Sequence, residues 1–208
     1  MTFDGIPTAA LDFYDDLEAD NSKTFWTAHK HVYEESVRAP MEALAAALAK
    51  EFGEGKLFRP YRDVRFSKDK TPYKTHQGVW FEESRVYVQV SAAGLFVAAG
   101  YWRTETSQVA RLRRAVDHDL HGPALEAAIA KVTKKGFRIG GNQLARVPKG
   151  YDKEHPRADL LRYKTLTVAK ELGFPDWLST PQAKAQVAKE WRAMAPLVEW
   201  LDRHVGPA

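Results

Sequence analysis

Residues 59–74, RPYRDVRFSKDKTPYK, concentrate six basic side chains (Arg59, Arg62, Arg65, Lys68, Lys70 and Lys74) around two carboxylates, Asp63 and Asp69. The whole chain has 31 Lys and Arg against 27 Asp and Glu, a net +4, and the block's own surplus of four equals it. The positive field is therefore local rather than global. Arg62 and Arg65 offer planar forks, and Lys68, Lys70 and Lys74 offer point charges. Tyr73 and His76 add a hydroxyl and an imidazole where the block ends. Such a set suits a small anionic ligand bearing phosphate or carboxylate. If a reaction accompanies binding, Asp63 or His76 is the acid–base candidate, with Arg62, Arg65 and Lys74 holding charge.

Two other readings use the same residues. Asp63 and Asp69 can pair with their neighbours, making the block an ion-paired edge that Thr71-Pro72 terminates. Alternatively, Tyr61, Phe66 and Tyr73 interleave with the cations as a nucleic-acid face that stacks bases. A net +4 is small for a dedicated nucleic-acid binder, and no RNP-like motif occurs. Geometry discriminates: charges converging on a concavity favour the ligand, and charges paired among themselves on a convex surface favour the edge.

Other chemistry is thinly represented. The chain has no cysteine, which excludes disulfides and thiolate-held metals. His29 and His31 diverge on a helix, and His29 reads as a hydrogen-bonded histidine within an aromatic stripe. His118 and His121, beside Asp117 and Asp119, sit at an expected helix end, where a solvated terminus explains them better than a metal. No dinucleotide fingerprint, phosphate loop or nucleophile elbow occurs, so neither a cofactor nor a metal is expected.

The elements that would position these residues follow from periodicity. Residues 8–52 read as helices: Asp20-Asn21-Ser22 supplies a cap, Trp26, His29, Tyr33 and Val37 form one stripe, and Pro40 starts a new helix. The period then shifts to two. Val64 and Phe66 suggest a first strand, Val79 and Phe81 a second, Val86, Val88 and Val90 a third, and residues 95–102 a fourth. Short connections make these an antiparallel meander over about residues 58–102. Residues 106–120 and 123–135 read as helices. Residues 137–147 read as a hairpin around Gly140-Gly141-Asn142, and residues 165–168 as a further strand. Thr180-Pro181 opens a last helix with Trp191, Met194, Val198 and Leu201 on its core face, and Pro196 is expected to kink or split it. The sum is one α+β domain over residues 1–208.

The block Arg62-Asp63-Val64-Arg65-Phe66-Ser67-Lys68-Asp69-Lys70-Thr71-Pro72-Tyr73-Lys74 closely resembles the signature of the conserved hypothetical proteins called domain of unknown function 2461. Asn21 to Trp26, His29-Lys30, Tyr33 and Pro40 resemble that family's N-terminal segment. Residues 86–100 resemble its strand pair, and Gly150-Tyr151, His155-Pro156, Leu160-Leu161 and Lys164 its later segment. Ser22 stands where the family has a second Asn, and Phe25-Trp26 inverts the aromatic order. The resemblance implies an α+β fold and no particular reaction.

The first residues lack the basic and apolar regions of a signal peptide, and no apolar run approaches the ~18 residues of a membrane span. A cytoplasmic protein without membrane contact is the expectation. Nothing in the sequence sets an oligomeric state.

Overall fold

A computed structural model describes residues 2–206; Met1, Pro207 and Ala208 of the expected domain lie outside the described residues. The fold is α+β, with helices and one six-stranded antiparallel sheet in the order β1-β2-β3-β4-β6-β5. Its strands are β1 (Gly55–Leu57), β2 (His76–Phe81), β3 (Val86–Ser91), β4 (Gly94–Tyr101), β5 (Arg138–Gly140) and β6 (Leu166–Gly173). No helix among the described residues is long and apolar enough to cross a membrane. The chain divides into two compact units, one of residues up to Val97 with Glu171–Glu190, the other of Ala98–Lys170 with residues from Trp191 on.

In the first unit, α1 (Thr8–Ala19), α2 (Lys23–Val32) and α3 (Ala39–Phe52) bury Phe13, Leu17, Trp26, Met41 and Leu44, and the stretch between α2 and α3 buries Val37. Ser22 caps α2, its hydroxyl accepting from the Phe25 amide at 3.1 Å. Ser and Asn serve equally at such a cap, so the departure at this position keeps the same local job. Between α2 and α3 the helix is not α-helical. Tyr33–Arg38 form a π-helical segment, and the Ala39 amide reaches back five residues to the Glu34 carbonyl. The reason lies just beyond it. Pro40 has no N–H for the Ser36 carbonyl and its ring would crowd that oxygen, so a widened turn lets the chain stay helical through the proline.

The meander holds for β2, β3 and β4, with β2 and β3 in continuous register from His76↔Ser91 to Phe81↔Val86. Its first strand lies elsewhere than expected. The partner of β2 is Gly55–Leu57, and Val64 and Phe66 form no strand. Alternation over residues 63–66 misleads because an alternating run becomes a strand only where a neighbour supplies its hydrogen bonds. Phe66 is instead 96% exposed.

In the second unit, α4 (Thr106–Asp117), α5 (His121–Thr133) and α6 (Ala158–Leu161) surround Leu112, Val116, Leu125, Val132 and Leu161. The expected hairpin at residues 137–147 is replaced by a long-range pairing of Arg138–Gly140 with residues 167–169 of β6. Gly141 ends β5 at φ +129°, where a Cβ would lie 2.1 Å from the Thr165 carbonyl oxygen, so only glycine fits the approach. The last helix, α7 (Gln182–His204), runs unsplit through Pro196, and Trp191, Met194, Val198 and Leu201 are buried on it as the spacing predicts.

Candidate functional site

The basic block is a loop whose two ends meet. Tyr61 and Tyr73 form an isolated antiparallel bridge, with Arg62 N–H donating to the Pro72 carbonyl at 2.8 Å and Lys74 N–H to the Pro60 carbonyl at 2.7 Å. Asn21 locks the bridge from outside: its amide donates to the Tyr73 carbonyl at 3.1 Å and its oxygen accepts from the Tyr73 N–H at 3.0 Å. Tyr73 is thereby buried, its ring stacked on Trp26 at 4.2 Å and 7°. Residues 61–73 thus form an Ω-loop.

Within the loop most charges satisfy one another. Arg62 donates to Asp69 and, at 2.7 Å, to the Thr71 hydroxyl. Arg65 grips Asp63 with two bonds of 2.9 and 2.7 Å, and Lys70 Nζ donates to the Val64 carbonyl at 2.9 Å. The Arg65 fork holds the Asp63 carboxyl below its usual range, which leaves it a poor proton carrier near neutral pH. Lys68 is exposed and has no carboxylate within ion-pair distance among the described residues. Of the three interleaved aromatics, Tyr73 is buried, while Tyr61 is half-exposed and Phe66 stands out in water.

The remaining members of the block gather at the loop's base. Lys74 Nζ donates to the Arg59 carbonyl at 2.9 Å and lies 5.3 Å from the centre of the Phe58 ring. Burial, then the neighbouring Arg59 guanidinium, pushes the Lys74 ammonium below its ordinary pKa. His76, at the start of β2, is lowered by burial first and then by the positive charges of Lys74 and Arg62, so its imidazole is neutral at pH 7.

Next to this base a cleft of about 410 Å³ opens between the first unit's helices and the segment after β1. One wall is Trp26, Lys30, Tyr33, Glu34, Arg38 and Glu42; the other is Leu57, Phe58, Arg59, Pro60 and Tyr61. The π-helical segment explains why Tyr33 and Arg38 share a wall. On an α-helix, residues five apart point about 140° from each other, and the wider π turn brings them back towards one face. Arg38 is held by Glu34 at 3.1 Å and Glu42 at 2.9 Å. Lys30 and Arg59, by contrast, have no carboxylate within ion-pair distance among the described residues.

Gln77 fixes the two walls to each other. It is 1% exposed on β2; its oxygen accepts from the Tyr33 hydroxyl at 2.7 Å and its amide donates to the Phe58 carbonyl at 2.8 Å. Burial, with Glu34 next, raises the Tyr33 phenol to about 12, so it stays a donor throughout the working pH range. Beneath the cleft the Trp26 Nε1–H is buried without a hydrogen-bond partner among the described residues. Sequence reasoning did not single out Lys30, Arg59 or Gln77 as site residues; Arg59 entered only as part of the charge surplus.

His29 is half-buried and bonds the Phe25 carbonyl at 2.9 Å through Nδ1, as its place in the stripe implies. His118 and His121 stack at 4.0 Å, and His204 joins at 4.2 Å from His121. Among the described residues no group of three or more His, Asp or Glu is arranged to hold an ion.

No curated protein and no solved structure matches the chain. The family model of a conserved hypothetical protein (DUF2461) matches residues 9–200, a span holding the capped helix, the closed basic loop and the cleft between them, and the chain belongs to that family.

Proposed function

We propose that this protein binds a small anionic ligand, carboxylate- or phosphate-bearing, at the base of the basic loop. The ligand lies in the cleft beside Lys30 and Arg59, and not on the loop's outer tip. One observation carries the reading: Lys30 and Arg59 are the cleft's cations with no carboxylate within ion-pair distance among the described residues, whereas Arg62 and Arg65 are neutralised within the loop. A cleft of about 410 Å³ is of a size that takes small molecules, which usually occupy roughly 300–1,000 Å³. Lys74 adds positive potential beside Arg59, and a bound anion would raise the pKa of Lys74 and His76 against the burial, and then the neighbouring cations, that lower them.

The test is calorimetric titration with acetate and inorganic phosphate. Arg59→Ala and Lys30→Ala should each weaken binding about tenfold, the size of one lost charge-assisted contact, and Arg65→Ala should leave it unchanged. Binding lost in Arg65→Ala but kept in Arg59→Ala would move the site to the loop tip and refute this reading.

A further inference from the structure

Resting on the anion-binding reading of the cleft, we infer that the ligand is a small aromatic monocarboxylate, one ring system bearing one acid group. Charge sets the valence. The cleft walls carry three cations, Lys30, Arg38 and Arg59, against two carboxylates, Glu34 and Glu42, which leaves one net positive charge. A monoanion neutralises that surplus, whereas a phosphate dianion or a polyphosphate brings excess charge up against Glu34 and Glu42.

The walls set the shape. Trp26 and Tyr33 form a floor, 4% and 3% exposed, while Tyr61 at the rim is 47% exposed with its ring 6.0 Å from Trp26. A half-exposed tyrosine beside a buried indole offers a flat apolar face that a second ring covers by offset or edge packing. Size agrees: about 410 Å³ is at the lower end for a ligand site, enough for one ring system and too little for a dinucleotide.

The experiment is calorimetric titration of the full chain with benzoate, acetate, inorganic phosphate and adenosine monophosphate. Benzoate is expected to bind about tenfold more tightly than acetate, and more tightly than either phosphate compound. Tyr61→Ala should bring the ratio of benzoate to acetate affinity down to about one, and Tyr61→Leu, which keeps bulk without a ring, should do the same while guarding against loss of fold. Equal affinity for benzoate and acetate would overturn the aromatic assignment and leave the anion site standing. Tighter binding of adenosine monophosphate would overturn the monocarboxylate assignment in favour of a nucleotide. If none of the four binds, both the assignment and the anion site fall.

Discussion

Gln77 shows how much one amide decides. It satisfies the Tyr33 hydroxyl and the Phe58 carbonyl at once, so its removal leaves two polar groups stranded. Gln77→Leu should therefore cost about 2–4 kcal/mol of stability by urea unfolding, a donor and an acceptor at roughly 1–2 kcal/mol each. It should also weaken anion binding by letting the walls part. A loss below about 1 kcal/mol would show that water replaces both bonds. Gly78, next along β2, is constrained differently: a Cβ there would lie 2.1 Å from the Tyr87 hydroxyl. Gly78→Ala must push the Tyr87 ring aside and strain its 2.9 Å bond to Gln89, a change worth about 1–3 kcal/mol.

Among the elements, the π-helical segment is the one whose geometry serves the cleft, and Pro40 is its cause in the sequence. Pro40→Ala restores an N–H opposite Ser36 and lets the segment tighten to an α-helix, which swings Arg38 away from Tyr33. Thermal stability should hold or rise while acetate and phosphate affinity falls; the two moving down together would contradict this account. Legibility also varied by element. Helices with three- and four-residue spacing, and strands such as Val86–Ser91 with clean alternation, announce themselves because one face of each must be apolar. Gly55–Leu57 is too short to show a period, and β5 finds its partner through long-range pairing that its neighbours do not encode. Site legibility was limited for a related reason. The block at 62–74 is conspicuous by charge, but which cations are free depends on who sits opposite, and Asp63 and Asp69 are opposite Arg65 and Arg62. Gln77 reads as one more polar strand residue until Tyr33 and Phe58 are seen on either side of it.

Across the whole molecule, each compact unit holds a histidine whose proton affinity folding depresses. Burial is the first cause for both; Lys74 and Arg62 add to it at His76, and His121, Arg203 and His118 at His204. Between the unfolded value of about 6.5 and the lower folded values, the unfolded chain binds more protons. Stability is therefore fully present above about pH 6.5 and is lost as pH falls through the folded values. The urea midpoint should be lower at pH 5 than at pH 7.5, and the double variant His76→Asn, His204→Asn should flatten the difference; an equal slope in that variant would assign the effect elsewhere. The closed base of the basic loop has one more consequence, for cleavage. Phe66 stands at the apex, while both ends of the loop are held by the Tyr61–Tyr73 bridge, by Asn21, and by β1 and β2 paired beyond them. Limited chymotrypsin should cut after Phe66 first, and the two halves should stay together as a nicked but native particle that elutes as one species and separates only in denaturant.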